Sequence, residues 1–142
     1  MPSSEADLLG REWTTLQRNC ERYEHSALWI KLAAPMLYAV ALVYGFDAAI
    51  SCVLVAVLWL QEAMLRTSQS RLTTRLMRVE ALLRETAPRA GSACQLHTEW
   101  TAARPGSAGL LGEYAANALR PTVAFPYAVL ILLLMALALD WA

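Results

Sequence analysis

Cys94, His97 and Glu99 are the residues whose types and close spacing could do chemistry. A thiolate, an imidazole and a carboxylate are all zinc ligands, and Cys-x-x-His is a spacing that can begin a metal site. A structural zinc needs four ligands, however, and a catalytic zinc needs three with an open position. Cys20 and His25 would approach this segment only if it folded against the N-terminal helix. We therefore expect no metal site and no cofactor.

Cys94 and His97 could instead act as a nucleophile and its base. That chemistry needs a third group to orient the base and a pocket to hold a substrate, and the short segment around them has few apolar residues to build one. The glycines Gly106, Gly109 and Gly112 follow a proline rather than a strand, so they do not predict a phosphate-binding loop. We expect a protein that is not an enzyme and has no catalytic residues.

Lys31 and Glu62 are the two charged residues at the edges of long apolar runs. A lone charge within a bilayer costs up to about 3 kcal/mol at the midplane and less near the headgroups, so we predict that these residues form a structural ion pair. The alternative is an ion or proton relay, which needs further polar groups at depth. Only Ser51 and Cys52 lie deeper, and transmembrane helices tolerate both.

Two apolar runs, 27–44 and 48–60, would bring this pair together, because only Gly45, Phe46 and Asp47 separate them. Each run is near the length of about 20 residues that crosses a bilayer, and the short turn predicts an antiparallel transmembrane hairpin. A third run, 122–139, is uncharged and predicts a third span. The fold class is therefore an all-α membrane protein with three transmembrane helices.

Apolar residues continue beyond the two runs at alternating spacings of four and three, which is a heptad pattern. They are Leu9, Trp13, Leu16, Cys20, Tyr23, Ala27 and Ile30 before the turn, and Leu65, Leu72, Leu76, Val79 and Leu83 after it, with Gln69 in the remaining position. A chain that reverses at Phe46 pairs Leu9 with Leu83 and Trp13 with Val79. The hairpin is thus predicted to extend into a cytoplasmic two-helix stalk.

A stalk of two helices leaves the apolar residues Leu8, Met77 and Leu82 uncovered beside its seam. Exposed apolar patches often mark interfaces, so we predict that these three residues bind a protein partner or a second copy of the chain. The alternative is that residues 94–119 fold back over them. Within that segment, the helix predicted at 108–119 would lie either on the stalk or flat on the membrane.

The charges predict both the partners and the orientation. Twelve basic and twelve acidic residues give no net charge, which argues against a nucleic-acid partner because such proteins carry a basic patch. The turn at residues 45–47 and the tail after Leu139 contain no lysine or arginine. By the positive-inside rule, we expect a bacterial inner-membrane protein with a cytoplasmic N-terminus and a periplasmic C-terminus. Trp29 and Trp59 would anchor the inner interface, and Trp141 the outer one.

Five segments follow from these patterns. They are a cytoplasmic amphipathic arm (1–26), the transmembrane hairpin (27–65), a cytoplasmic stalk helix (66–86), a cytoplasmic loop with short helices (87–120) and the third transmembrane helix (121–139). The arm mixes acidic and basic residues and is too long for the start of a secretory signal, whose short basic region is followed directly by its apolar region, so we expect no cleavage. The cysteines, at 20, 52 and 94, are too scattered to form a disulfide framework.

Two runs of residues, 58–62 and 120–127, resemble those of small bacterial inner-membrane proteins of uncharacterised function. That resemblance implies a membrane location and brings no activity with it. The layout of arm, hairpin and long cytoplasmic helix is also similar to the two-span effector domains of SLATT-type bacterial defence systems, which implies pore formation. The third span departs from that layout.

Taken together, these features predict a non-enzymatic inner-membrane scaffold or accessory subunit whose cytoplasmic helices bind a partner or a second copy. The alternative is an oligomeric channel or pore-forming effector, which would make membranes permeable. Small transporters and unrecognised enzymes form a third group, for which the sequence offers no set of reactive residues.

Overall fold

A computed structural model describes residues 4–85 and 90–140 of the chain. All regular structure within these ranges is helical, as predicted. The five helices are α1 (Glu5–Tyr44), α2 (Ala48–Leu83), α3 (Leu96–Ala103), α4 (Ser107–Ala118) and α5 (Pro121–Asp140). The predicted end of the stalk helix at residue 86 and the predicted anchor Trp141 lie outside the described residues.

Helix α1 continues without a break through the predicted arm and the first apolar run. It begins with a capping box, in which Ser4 Oγ accepts from the Asp7 amide and the Asp7 carboxylate accepts from the Ser4 amide, both at 3.2 Å. This reciprocal pair satisfies two amides that a helix start leaves without partners. Pro35 lies inside the helix and removes one backbone hydrogen bond, the one to the Lys31 carbonyl.

Gly45 and Asp47 determine the turn between α1 and α2. Gly45 ends α1 in the left-handed conformation with φ of 67°, which a residue without a Cβ adopts without steric cost. Asp47 caps α2, because its Oδ1 accepts from the Ala49 amide at 2.9 Å and from the Ile50 amide at 3.1 Å. The chain therefore reverses within three residues, where the sequence placed the turn.

Helices α1 and α2 pack side by side in opposite directions. Three contacts define their register: Trp13 Nε1 to Glu80 Oε1 at 3.0 Å, Gln69 Nε2 to Glu24 Oε1 at 3.1 Å, and Lys31 Nζ to Glu62 Oε1 at 3.1 Å. Each partner lies one residue further along α2 than pairing about Phe46 predicts. The reason is that a helical side chain leans toward the N-terminus of its own helix. Side chains of antiparallel helices lean in opposite directions, so a side chain of α1 meets one of α2 that lies slightly later in the sequence.

One expected pair does not form a buried contact at the far end of the two helices. Leu9 is fully buried in a cluster with Leu16 and Val79, whereas its predicted partner Leu83 is 39% exposed. Leu83 is the last residue of α2, so the packed part of the seam ends about one turn before it.

A second apolar cluster lies nearer the turn and includes α5. Its buried members are Ala34, Val55, Tyr127 and Leu134. On α1 the buried residues in this half are alanines spaced by seven, namely Ala27, Ala34 and Ala41. Small side chains at one heptad position let helix backbones approach closely, so α1 meets its neighbours through an alanine face.

Within the described residues, three helices are long and apolar enough to cross a membrane: α1, α2 and Pro121–Leu139 of α5. The prediction of an all-helical chain with three such helices is confirmed. Many of their large apolar side chains are exposed, among them Trp29, Met36, Val43, Ile50, Val53, Phe125, Leu132 and Leu139. An exposed apolar surface of this extent is consistent with a membrane protein.

Helices α3 and α4 pack against the polar half of α2. Glu113 contacts Arg71 and Asn117 contacts Thr67, so α4 runs antiparallel to α2 and leads into α5 in the same direction. Of the two placements considered for this helix, the structure has the one against α2.

Candidate functional site

The side chain of Glu62 is the most deeply buried charge in the described chain, with no exposed surface. Its Oε2 accepts a hydrogen bond from Tyr127 Oη at 2.7 Å. Its Oε1 lies 3.1 Å from Lys31 Nζ and 3.6 Å from Arg66 Nε. The Lys31 contact has the distance of an ion pair but not the angles of a hydrogen bond, so Oε1 is held by charge alone. We call these four residues the Glu62 centre.

Lys31 also donates a hydrogen bond to the Thr122 carbonyl at 2.9 Å. Proline at position 126 explains why that carbonyl is available, because Pro126 has no amide to bond back to the residue four before it. One ammonium group therefore satisfies a helix carbonyl on α5 and balances a carboxylate on α2. The structure brings the predicted pair Lys31 and Glu62 together and adds α5 to their contact.

Trp59 and Tyr127 extend this centre toward α4. Their rings stack with centroids 6.3 Å apart and planes 7° from parallel, and Trp59 Nε1 donates to the Ala118 carbonyl at 3.0 Å. Ala118 is the last residue of α4, where carbonyls lack helical partners. Trp59, which the sequence predicted as a membrane anchor, thus caps the C-terminal end of α4.

The Glu62 centre joins the three long helices. A single carboxylate holds one side chain from α1, one from α2 and one from α5. Removing one partner of a buried pair is strongly destabilising, because the other charge is left uncompensated. The centre therefore fixes the relative positions of the three long helices.

A second polar centre surrounds Arg75, which is 3% exposed. Its Nε and Nη2 form a bidentate pair with Glu12 at 2.8 and 2.9 Å, and its Nη1 binds Glu99 at 2.7 Å. The Ser92 carbonyl accepts a further bond from Nη2 at 2.8 Å. The hydrogen bond to Glu12 is the main reason that the pKa of Arg75 is raised above its ordinary value, with smaller contributions from the charges of Glu12 and Glu99. We call these residues the Arg75 centre.

Two carboxylates of α1 hold the segment that precedes α3. Glu5 Oε1 accepts from the Ala93 amide at 2.8 Å and from Ser92 Oγ at 3.2 Å, and Glu12 Oε2 accepts from the Cys94 amide at 2.8 Å. The Ala93 hydrogen bond is the main cause of a lowered pKa at Glu5. Hydrogen bonds to the charged form favour ionisation, so both carboxylates act as clamps for backbone amides.

The residues first considered for chemistry are used differently. Glu99 pairs with Arg75 and, at 3.3 Å, with Arg78, while Cys94 is exposed and offers its amide to Glu12. Within residues 4–85 and 90–140, no group of three or more His, Cys, Asp and Glu side chains could hold a metal ion. The arrangement makes Glu99 an ion-pair partner.

A groove of about 510 Å³ lies between α2, α3 and α4. Its apolar walls include Tyr23, Leu72, Leu96 and Trp100. Its polar lining includes Arg71, Arg75, Arg78, His97, Glu99 and Glu113. Pockets of this volume are typical of small-molecule sites.

The three predicted interface residues have different surroundings. Leu8 and Leu82 are half-buried against the cluster of Leu9 and Val79, to which Leu96 also packs. Met77 is 57% exposed. The segment around α3 therefore covers part of the surface beside the seam and leaves Met77 open.

Sequence reasoning missed Arg75 and Tyr127. A signal for Arg75 was present, because Glu12 and Arg75 are opposite charges that both lie beside the heptad seam. No comparable signal existed for Tyr127, since the sequence does not indicate which face of α5 meets α2. The groove likewise depends on α3 and α4 folding back, which the sequence left open.

Comparison with models of protein families, with curated proteins and with solved structures finds no match to the chain. Its function must therefore be inferred from the two polar centres, the groove and the apolar helices.

Proposed function

We propose that the chain is a non-enzymatic scaffold or accessory subunit of a bacterial inner-membrane complex, and that its cytoplasmic helices bind a partner or a second copy. The observation that carries this proposal is the buried Arg75, which ties α1, α2 and the α3 segment into one body through Glu12 and Glu99. A buried ion-pair network is costly and weak as a source of stability. Its benefit here would be a fixed geometry, which a scaffold surface needs.

The proposed membrane arrangement has α1 and α2 as a transmembrane hairpin that extends into a cytoplasmic two-helix stalk, with α5 as the third span. Arginine and lysine are absent from the Gly45–Asp47 turn and from the residues after Leu139, so the positive-inside rule places the N-terminus in the cytoplasm and the C-terminus in the periplasm. The Glu62 centre then lies at the cytoplasmic boundary, where Lys31 and Arg66 can reach headgroups.

Leu8, Met77 and Leu82 remain the proposed interface, and Met77 is the residue that tests it. Leu82 is half-buried, so a charge there would also disturb the packing between helices. Met77 is exposed, and a flexible thioether is well suited to contact another protein. The occupant is a second polypeptide, either a different subunit or a copy of this chain.

Photo-crosslinking in native membranes tests this proposal. A benzophenone amino acid at position 77 should give one specific adduct, whose mass distinguishes a homodimer from a complex with another subunit. The same probe at Thr15, an exposed residue of α1, serves as the control. Met77→Glu should prevent complex formation while the protein still inserts into the membrane. Equal labelling from positions 77 and 15 would rule out the interface.

The alternative is an oligomeric channel or pore-forming effector, and the contacts of the polar groups favour it less. A pore lined by side chains of these helices needs polar groups that are free to face a lumen. Ser51 donates to the Asp47 carbonyl at 3.0 Å, and Glu62 is engaged by Lys31 and Tyr127. Dye release from lipid vesicles that contain the purified protein would support the channel instead.

A further inference from the structure

We infer that the groove between α2, α3 and α4 binds a small organic anion that has an apolar, preferably aromatic, body. This site would be separate from the proposed interface at Met77, and it does not depend on whether the chain is a scaffold. Three features of the groove lead to the inference: its walls, its charge and its size.

The walls of the groove combine apolar and aromatic side chains with neighbouring arginine side chains. Leu72 and Leu96 line the groove together with Tyr23 and Trp100. Arg71 and Arg104 both lie over the Trp100 ring, with their guanidinium carbons 5.2 and 5.0 Å from its centre. An aromatic group can pack on such a wall while its anionic group meets the guanidiniums.

The charge at the groove favours an anion. Four guanidiniums lie in or beside it: those of Arg71, Arg75 and Arg78 line the groove, and that of Arg104 lies over the Trp100 ring. Three carboxylates neutralise them, those of Glu12, Glu99 and Glu113. One positive charge is therefore in excess.

Arg78 is the cation best placed to meet a ligand. Its side chain is 65% exposed, and it shares Glu99 with Arg75, which binds that carboxylate at the shorter distance of 2.7 Å against 3.3 Å. Most of the guanidinium donors of Arg78 are therefore open to solvent at the edge of the groove. Arginine presents paired donors that match the geometry of phosphate and carboxylate groups.

The volume of about 510 Å³ suits a small molecule rather than a folded domain. Ala103, the last residue of α3, and Pro105, in the connection to α4, both line the groove. A large side chain at position 103 would enter the groove, whereas one at the exposed neighbour Ala102, which does not line it, would point elsewhere. This pair of alanines provides a matched test that leaves the charges unchanged.

The test is equilibrium dialysis of 2-naphthyl phosphate against the full-length protein in phosphatidylcholine nanodiscs, with empty nanodiscs as the background. We expect saturable binding of one molecule per chain. Inorganic phosphate and 2-naphthol, which each carry half of the required chemistry, should compete at least about tenfold less well. Tenfold corresponds to about 1.4 kcal/mol, the size of one lost charge-assisted hydrogen bond or one lost aromatic contact.

Two pairs of variants locate the binding. Ala103→Trp and Arg78→Gln should each raise the dissociation constant about tenfold or more, whereas Ala102→Trp and Arg18→Gln should leave it unchanged. Arg18 is an exposed arginine of α1 outside the groove, so its substitution changes the net charge equally. Thermal unfolding of all four variants establishes that they are folded.

Three results would overturn the inference: no saturable binding above empty nanodiscs, control variants that weaken binding as much as the groove variants, or inorganic phosphate that competes as well as 2-naphthyl phosphate itself.

Discussion

The hydroxyl of Tyr127 donates a 2.7 Å hydrogen bond to the fully buried carboxylate of Glu62. This hydrogen bond joins α5 to α2. Lys31 of α1 contacts the same carboxylate and also the Thr122 carbonyl of α5, so three helices meet at Glu62. The bond also leaves the other carboxylate oxygen to the two cations.

Tyr127→Phe should lower the free energy of unfolding by about 1–3 kcal/mol, because a buried carboxylate oxygen loses its hydrogen-bond donor. Tyr44→Phe is the matched control, since Tyr44 is exposed. Unfolding in mixed detergent micelles, followed by circular dichroism, measures both. Equal stabilities for the two variants would mean that the hydroxyl contributes nothing.

Lys31→Glu and Glu62→Lys should each reduce the amount of protein in the membrane fraction, since each places like charges together. Combining them should restore only part of the loss. The reason is that a cation at position 62 would face Arg66 and could not accept from Tyr127. A double variant no more abundant than the worse single variant would show that the pair has no net effect. Immunoblotting of membranes gives the comparison.

Arg75→Gln should destabilise the protein by about 3–5 kcal/mol, because two carboxylates lose a buried partner. Arg75→Lys should recover only part of this, since an ammonium group cannot reproduce the bidentate contact with Glu12. Arg84→Gln, at the exposed residue that follows the end of α2, should lower the free energy of unfolding only slightly. Thermal unfolding midpoints in mild detergent distinguish these outcomes. An Arg75→Gln variant with the midpoint of the wild type would contradict a stabilising role for the Arg75 centre.

Stability should fall as the medium is acidified, with a contribution from Glu5. The pKa of Glu5 is lowered from its ordinary value of 4.5, mainly by the Ala93 amide. A carboxyl group whose pKa is lower in the folded state stabilises that state above its unfolded pKa, and this stabilisation is lost as pH falls through the folded value. Glu5→Gln should therefore show a smaller drop in unfolding midpoint below pH 4.5 than the wild type or Glu21→Gln. Identical pH profiles would exclude this contribution.

Reporter fusions should place residues after Asp47 and after Ala142 in the periplasm, and those after Gly91 in the cytoplasm. The expectation follows from the absence of basic residues in the turn and after Leu139. Alkaline phosphatase and a cytoplasmic fluorescent protein give opposite readings on the two sides. A cytoplasmic signal after Asp47 would replace the first two spans by a re-entrant hairpin.

The parts of the fold that the sequence predicted are those set by local signals. Gly45 and Asp47 fix the turn through a left-handed backbone and a helix cap, and heptad spacing fixes the facing sides of α1 and α2. The turn and the heptad spacing together bring Lys31 of α1 beside Glu62 of α2. The register was off by one residue, which reflects the tilt of helical side chains.

The parts that the sequence did not predict depend on contacts between distant segments. Arg75 becomes buried only when α3 brings Glu99 to it, and α3 carries no strong apolar face that indicates where it docks. Tyr127 pairs with Glu62 across 65 residues, and an apolar helix such as α5 has no polar side to orient it. Hydropathy predicts that such a helix exists but not its rotation about its axis.

Helix α1 spans 40 residues without interruption, so it acts as a mechanical lever about 60 Å long. Pro35 removes the hydrogen bond that the Lys31 carbonyl would otherwise accept, so the most compliant point of the lever lies within one turn of the Glu62 centre. A tilt of about 10° at this pivot moves the Leu9 end by roughly 6 Å at a rise of 1.5 Å per residue. Because Glu5 and Glu12 lie near that end and hold the segment before α3, such a tilt would act directly on those contacts.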